Sequence, residues 1–531
     1  MWPSTKRLTS ITRCAIRVTS RWWVCSSRCS VSKSFVVASD LGSSACKTII
    51  LNAQGKVVAA AQQEYPTFYP QPGWVEQNPE DWYTAFCNTV RVVLQQADIA
   101  PEQIAGVGIV GVTHNVVLMD EQDRPICRTI LIFDNRSLPQ AQDILAHWGQ
   151  TVREKTLNDV TPVWSWPQLL WIRENRPEVW RATRRLLFQK DYVRHRLAPA
   201  AVTDVIDAGG TLLFDPIQEE WIAPFCQDLA LDPAWLPRVV HPLDLVAEVS
   251  PEGAADTGLA VGTPVIAGTT DTVAEVLGSG AIRPGSAVVK LASVGRIAVV
   301  TTEPLRRPHI FNYRHVLDGL WYPGTASKYA ASAYQWLRNI IWPDVHDEMA
   351  YRLMDEAAAQ APPGCDGLLF HPHLMGEWAP HWDEQLRGDF IGLTIRHTRA
   401  HLTRAVLEGV AFGLKDALGE MERLGLKAED IRLIGQGSRS PLWCHIVADV
   451  LNRPLRIPEE PDAVYGAALI TAMGLNLIGK THQALEAVIS MRRIISPDPR
   501  KTALYATLFS VYRDVDVALR VISGRLHDFE H

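Results

Sequence analysis

A chain of 531 residues, 47% of them hydrophobic, is too long for one ordinary core and apolar enough to fill two, so two globular domains are expected and a disordered chain is excluded. A net charge of −6 gives no basic field to gather a nucleic acid, and charge, proline or glycine breaks every apolar run before the roughly 18 to 20 residues a membrane span needs. Nine cysteines without CxxC or Cys/His ligand spacing read as reduced core thiols, which points to a cytoplasmic setting.

The first 34 residues differ from everything after them, with Lys6, Arg7, Arg13, Arg17, Arg21, Arg28 and Lys33 and no Asp or Glu. Such a segment suits an organelle transit peptide or an extension translated from an upstream start. It lacks the clean apolar periodicity of a transit helix, which favours an unstructured extension.

Folded sequence begins at Phe35, where the strand Phe35 to Asp40 meets the small-residue turn Leu41 to Cys46. Strands at 47–51 and 56–61, joined by Asn52-Ala53-Gln54-Gly55, complete an antiparallel meander. Asn78 is a helix cap with Pro79 at the first helical position, and Trp82, Phe86, Val90 and Val93 form one apolar face. The strand Gly106 to Thr113 delivers His114 to its end, and a hairpin-like stretch follows through Asp120 to Arg124. Another strand, Pro264 to Gly268, runs into Thr269-Thr270-Asp271-Thr272.

Near the middle the opening pattern returns: strand Ser286 to Leu291, turn Ala292 to Gly295, strand Arg296 to Thr301. The repeat predicts two related α/β domains facing each other across a cleft. Gly278, Gly280, Pro284 and Gly285 cluster at the boundary, giving domains at 35–283 and 284–531. Thr398 caps a helix whose apolar positions Leu402, Val406, Val410, Leu414 and Leu418 recur every four residues until Gly425. Then come strand Ile431 to Ile434, the loop Gly435-Gln436-Gly437-Ser438-Arg439, and a helix that Ser440 caps and Pro441 opens. A glycine-rich loop between strand and helix lets backbone N–H groups approach an anionic or planar ligand.

Phosphoryl transfer to an alcohol needs donors around the phosphates, carboxylates for a divalent cation, and a carboxylate to take the hydroxyl proton. Asp40 beside its turn can supply the first two, or it can merely satisfy that turn. Asp271 at a strand end can reach a cleft as a base. It can equally cap the helix that follows, and composition alone favours the cap. His114 can be an ordinary hydrogen-bonded histidine. The dinucleotide GxGxxG and the GxxxxGK[ST] loop are both absent.

From Ser34 to about Asp514 the chain resembles the FGGY carbohydrate kinases, and among them the xylulokinase-like pentulose kinases. The most specific segment is Gly388-Asp389-Phe390-Ile391-Gly392-Leu393, seven residues, then His401-Leu402-Thr403-Arg404-Ala405-Val406-Leu407-Glu408. Asp40-Leu41-Gly42-Ser43-Ser44 is similar to the first phosphate motif, Gly268-Thr269-Thr270-Asp271 to the general-base segment, Gly435 to Ser440 to the adenosine loop, and Gly466-Ala467-Ala468 to the helix start after it. Gly111-Val112-Thr113-His114 and Phe133-Asp134-Asn135-Arg136 resemble sugar-lining segments, and Gln189 to Tyr192 and Thr203 to Thr211 add further agreement.

The resemblance implies a duplicated actin/hexokinase-type (ribonuclease H-like) fold and transfer of the ATP γ-phosphate to a hydroxyl of a ketose or polyol. It implies Asp271 as general base, Mg²⁺ near Asp40 and Asp271, phosphates at Gly42, Ser43, Ser44 and Ser293, and nucleotide at Gly435, Gln436, Gly437 and Ser438. Thr113, His114, Asp134 and Asp271 would meet the sugar. Three departures bear on which sugar: Gln168 where the family expects Lys, Ala292-Ser293 where Gly-Thr is usual, and Trp378 where many relatives carry Arg. The partner expected is a small sugar or polyol, with no nucleic acid or membrane, and a homodimer is compatible with this reading. The competing classes are an actin- or chaperone-like ATPase and a sugar-binding protein without catalysis. A chain beginning at Lys33 should keep both the melting temperature and the turnover of the full chain; a large loss of either would give residues 1–32 a folded or functional role.

Overall fold

The structure, a computed structural model, describes residues 33–343, 345 and 347–529. Except for Lys33 and Ser34, the extension read at residues 1–34 lies outside the described residues. Ser34 N already donates to Gln103 O (3.2 Å).

The first half runs β1 (Phe35–Leu41), β2 (Ala45–Asn52), β3 (Val57–Glu64), α1 (Pro79–Ala97), β4 (Ile104–Gly111), α2 (Gln189–Leu197), β5 (Leu245–Glu248), β6 (Pro264–Ile266) and α3 (Asp271–Gly278), with smaller elements between. Its six-stranded sheet has the order β5-β6-β4-β1-β2-β3. The second half runs β7 (Ser286–Leu291), β8 (Gly295–Val299), β9 (Phe311–Arg314), β10 (Trp321–Ser327), α4 (Arg399–Arg423), β11 (Asp430–Ile434), α5 (Pro441–Leu451), β12 (Leu455–Pro458), α6 (Ala463–Gly474), β13 (Met491–Ile495) and α7 (Pro499–His527). Its seven-stranded sheet has the order β9-β10-β8-β7-β11-β12-β13.

The duplication expected from the repeated opening is present strand by strand. β1 pairs antiparallel with β2 and parallel with β4, which is parallel to β6, while β7 pairs antiparallel with β8 and parallel with β11, which is parallel to β12. The halves differ at both edges: β5 precedes β6 in the chain but β13 follows β12, and the second sheet carries β9 beyond β10 where the first ends at β3. The hairpin-like stretch after His114 forms: Val116–Met119 turns through Asp120 to Arg124 and returns, with Met119 bridged antiparallel to Pro125 and Ile126 N donating to Leu118 O (2.9 Å), and Val116–Met119 pairs as well with Arg185–Phe188. The Asp120 side chain closes the turn, accepting from Gln122 N and Arg124 N, and Pro125, without an N–H, keeps the returning arm to a short bridge.

Alternation sorts the strand side chains. Val37, Leu41 and Ile50 face α1, while Val36, Ala38 and Ile49 face a layer made of α3 and α6. Val288 and Ala298 meet that same layer from the second sheet, and Ala287, Val289 and Leu291 turn to the core under α4 and α5. The two helices are thus sandwiched between the sheets. Helix ends follow the capping signals: Asn78 accepts from Glu80 N (3.4 Å), Ser440 Oγ accepts from Trp443 N (3.1 Å), and Gly425 takes the left-handed φ of +96° that ends α4.

The segment most specific to the family resemblance is architectural. Arg404 and Glu408, one turn apart on α4, are buried as an ion pair (2.7 Å) that Tyr505 of α7 and the Gly364 N–H also join. Among the described residues no helix is long and apolar enough to cross a membrane, and Cys46, Cys87, Cys127, Cys226, Cys365 and Cys444 are free thiols.

The α3–α6 contact depends on a missing side chain. A Cβ on Gly466 would lie 1.8 Å from the carbonyl oxygen of Ala274, so the helices can approach this closely only at glycine. Gly466→Ala should therefore destabilise the fold by about 1 to 3 kcal/mol through forced separation of the helices, although alanine is the better helix former. Denaturant unfolding at equilibrium reads this, and an unchanged midpoint would show that the layer yields without cost.

Candidate active site

Three parallel strands of the first sheet end on one edge. Asp40 and Leu41 of β1 stand opposite Val110 and Gly111 of β4, and Gly111 bridges to Thr270 beyond β6. The edge therefore gathers Asp40, the Thr113-His114 loop and Asp271, although 231 positions separate the first from the last. In the second sheet β7 and β11 end together in the same way, with the Ala292-Ser293 turn beside the Gly435 loop. Gly435 holds a φ of +86°, and a Cβ there would meet Leu291 O at 2.6 Å.

A cavity of about 320 Å³ joins the two edges, and its walls include Asp40, Ser43, Ser44 and Lys47 from the first half and Asp271, Glu275, Lys290, Gln436, Arg439 and Asp462 along α3 and the second half. The turn at Gly42–Ser44 is braced from behind: Tyr65 OH donates to Gly42 O, Gln77 Nε2 to Ser43 O (2.7 Å) and Tyr65 N to Ser44 O (3.1 Å). Ser43 and Ser44 are left exposed on the cavity wall.

Carboxylates outnumber cations here. Burial raises the Asp40 carboxyl well above its usual range, and the negative charges of Asp271, Glu275 and Asp462 push it further. Its Oδ1 is buried and has no hydrogen-bond partner. Burial also raises Asp271 and Glu275, against the opposing pull of Lys290, which donates to Glu275 Oε2 (2.7 Å). Lys47 pairs with Asp462 across the two halves.

Asp271 is not a helix cap. Thr270 takes that position, its Oγ1 accepting from Val273 N (3.4 Å), and Asp271 is the first residue of α3, with Oδ1 accepting only from Thr272 N (2.6 Å). This resolves the two sequence readings of Asp271 against the cap. Arg296 of β8 donates to Thr272 Oγ1 (3.0 Å) and lies over the rings of Phe311, Tyr313 and Tyr322 at 4.5 to 5.6 Å. Its charge draws the Asp271 carboxyl down, third after burial and Lys290 among the side-chain charges and burial that set it.

On the other flank His114 is buried at a left-handed φ of +46°, its ring 4.8 Å from that of Trp164. Burial pushes its imidazole down to about 3, so it is neutral, and Nδ1 has no partner. The loop rests on buried charge. His114 N donates to Asp207 (2.7 Å), and Lys190 Nζ sits among Asp191 (2.7 Å), Asp204 (2.9 Å) and Asp207 (3.0 Å). Asp204 also accepts from Thr269 Oγ1 (2.8 Å), two residues before Asp271. Tyr313 of the second half reaches this flank, its ring 6.5 Å from that of Trp164.

Some candidates sit differently from expectation. Ser293 is exposed and outside the cavity that Asp40 lines, its carbonyl accepting from Ala330 N and Ser332. Gly437 and Ser438 are buried behind Gln436, and Ser438 Oγ bonds Gly435 O (2.7 Å). Both oxygens of Asp134 are engaged, by Arg136 (2.7 to 2.9 Å) and by Val75 N (2.5 Å). Sequence reading missed Lys47, Lys290, Arg296, Tyr313 and Asp462. Lys290 carried the clearest signal, as a lone charge inside the apolar strand Ser286–Leu291.

A carboxyl raised in the folded state binds its proton more tightly there than in the unfolded chain, so its contribution to stability is full below the ordinary carboxylate pKa and is lost as pH rises through the folded value. Asp40→Asn should therefore raise the melting temperature at neutral pH, with the gain vanishing below about pH 4. Thermal unfolding across pH in magnesium-free buffer checks it, and a neutral-pH loss of stability would assign Asp40 to its turn.

The chain matches the family model of the N-terminal domain of the FGGY family of carbohydrate kinases over residues 35–278 and that of the C-terminal domain over residues 295–475. It is 29% identical over 501 residues to the xylulose kinase of Bacillus subtilis (strain 168), covering 93% of this chain and 99% of that protein. It is 30% identical over 478 residues to the xylulose kinase of Escherichia coli (strain K12), covering 89% and 97%. The xylulose kinase structure from Rhodospirillum rubrum superposes with a TM-score of 0.85 at 27% identity, covering 92% of this chain and all of that one. With both domain models matched in order and strand ends that bring carboxylates from the two halves into one cavity, the chain belongs to the FGGY family of carbohydrate kinases and is an ATP-dependent sugar kinase of the actin/hexokinase-like fold.

Proposed function

We propose that the protein is a cytoplasmic pentulose kinase, with xylulose the first sugar to test, and that Asp271 is its general base. The observation that carries this is the position of Asp271: first residue of α3, free of a capping duty, between the carboxylate cavity and the His114 flank. Similarity to xylulose kinases over nearly the whole chain supports the choice of sugar. We take 35–283 as the sugar-binding domain and 284–531 as the nucleotide-binding one.

On this reading the sugar lies against Thr113, His114 and Trp164, with Tyr313 closing from the second half. Neutral His114 can hydrogen-bond a hydroxyl through Nδ1 without carrying charge. Asp271 accepts the proton of the attacking hydroxyl, and its raised pKa brings it nearer the working pH of a base. Lys290 and Arg296 keep it ionised when the hydroxyl arrives. Asp134 serves the sugar side by fixing Arg136 and the Val75 backbone, and Ser293 reaches phosphate only on closure of the two halves. Gly435 and Gln436 face the nucleotide, and Gly437 and Ser438 hold their loop in shape.

Magnesium fits the residues present: the unpartnered, buried Oδ1 of Asp40 and the neighbouring Asp271 are hard oxygen donors in a cavity with excess negative charge. Bound there, the ion would neutralise phosphate charge during transfer. An actin-like ATPase would need neither a free base at Asp271 nor the His114 flank, and a sugar sensor without catalysis would need no free base at Asp271.

Asp271→Asn keeps the shape and, with Thr270 as the cap, the helix start. Sugar-dependent ADP release should fall by about 10² to 10⁴-fold, mostly in turnover, while the melting temperature holds or rises. The sugar is chosen beforehand from a panel of pentuloses, hexuloses and polyols. Turnover within a few-fold of wild type would remove Asp271 from the chemistry, and a panel led by a hexulose or polyol would overturn the pentulose assignment alone.

A further inference from the structure

A second group of ligating side chains comes together where the loop from Pro372 to Asp383 meets α4 and α7, and none of them lines the cavity between the sheets. His373 and His381 come from the loop, Asp416 from α4, and Tyr512 and Asp516, one turn apart, from α7. His373 Nε2 lies 3.0 Å from Asp516 Oδ1, and His381 Nε2 lies 3.2 Å from Asp516 Oδ2 and 3.8 Å from Asp416 Oδ2. Donor atoms of His373, His381 and Asp516 all fall within 4.8 Å of one another. Bonds of about 2.0 Å put the donors of a tetrahedral zinc ion about 3.3 Å apart, so the group needs little movement to close on one.

His373 is oriented from behind. Its Nδ1 faces Glu377 Oε2 (3.3 Å), and Glu377 is itself held by Ser327 Oγ (3.1 Å), Lys328 N (2.5 Å) and Trp378 N (2.8 Å). A fixed carboxylate on one ring nitrogen sets the tautomer of a metal-binding histidine and aims the other nitrogen at the ion. The Tyr512 hydroxyl is an independent sign of a ligand: it is buried and has no hydrogen-bond partner among the described residues. After burial, the negative charges of Asp516, Glu377 and Asp416 act on it most, so it stands among them. His381 is only partly buried, which gives an ion its way in.

Two cations stand against an ion. Arg520 donates to His381 Nδ1, and Arg513 lies 3.7 Å from Asp416 Oδ1. Both are exposed and can turn to solvent. An arginine only donates, so beside it the His381 proton sits on Nε2. Binding moves that proton to Nδ1 as Arg520 leaves, and releases the Nε2 proton of His373 to water while Nδ1–H stays on Glu377.

We propose that His373, His381, Asp416 and Asp516 form a structural zinc site that ties the loop to α4 and α7. Two carboxylates neutralise the dication, and two imidazoles select zinc over the magnesium that suits all-oxygen donors. Glu377 is the positioning residue of the site.

Metal content of the full chain after dialysis into zinc-free, magnesium-containing buffer tests this, with a cobalt(II) titration of chelator-stripped protein beside it. The expected result is about one zinc per chain and the intense visible absorption of tetrahedral cobalt. His381→Gln, which leaves the His373–Glu377 pair in place, should weaken cobalt binding by about 100-fold or more, since loss of an orienting partner alone costs about 10- to 100-fold. Arg520→Ala removes the competing cation and should tighten binding by about tenfold. Excess zinc should raise the melting temperature of wild type and leave that of His381→Gln unmoved. A full chain with neither retained zinc nor a tetrahedral cobalt band would overturn the proposal, as would binding indifferent to His381→Gln. Cobalt absorbing weakly, as in an octahedral site, and lost on Asp40→Asn would place the ion in the cleft and overturn it too. Looser binding in Arg520→Ala would overturn His381 Nε2 as a ligand.

Discussion

A lysine ammonium buried without solvent is unfavourable until enough negative charge surrounds it, and Lys190 has three carboxylates within 3.0 Å. Burial alone would lower its pKa, and Asp191, Asp204 and Asp207 overcome that and raise it. Arg194 joins through Asp191 (2.8 Å) and still one carboxylate is in excess, which appears at Asp207, where burial first and its acidic neighbours next push the pKa up to about 7 despite Lys190. The cluster must be complete to be tolerated, and completeness fixes its outward contacts. Asp207 holds the His114 backbone and Asp204 holds Thr269, so two loops from distant parts of the chain keep one relative position.

The cleft obeys the opposite rule. Asp40, Asp271, Glu275 and Asp462 crowd together with Lys290 and Lys47 as the nearest counter-charges, and burial raises the first three instead of pairing removing their cost. A sequence selected for stability alone would pair or remove them. The same layer of α3 and α6 that carries this crowding is the most tightly approached helix contact between the halves, at Gly466 and Ala274. Strain of charge and economy of packing therefore meet at one place, where both sheets can feel what binds between them.

How much of this was legible depended on range. The duplicated strand-turn-strand, the caps at Asn78, Thr398 and Ser440, and the left-handed stop at Gly425 are local patterns, and each is where the residues put it. The hairpin-like stretch after Val116 is local too, with its turn at Asp120 and its return at Pro125 and Ile126, while its second pairing, with Arg185–Phe188, is long-range and had no sequence signal. Asp271 was ambiguous because Thr270 and Asp271 can each cap a helix, and only the backbone settles which one does. Lys290, Arg296 and Tyr313 were missed because each acts across the interface between the halves, where no sequence spacing reports proximity. The Arg404–Glu408 motif named the family without marking the site, since its chemistry is spent on holding α4 to α7.

Arg296 has no carboxylate at ion-pair distance among the described residues; three aromatic faces and one threonine hydroxyl hold it, and its Nε is unpartnered. A guanidinium held by ring quadrupoles is neutralised by nothing. Water in its place would have to turn its dipoles as negative charge built up nearby, and a salt-bridged arginine would first have to let go of its partner. Here neither rearrangement is required, so the positive potential beside Asp271 is already oriented before any anion forms. The reorganisation energy of that part of the site was met when the protein folded.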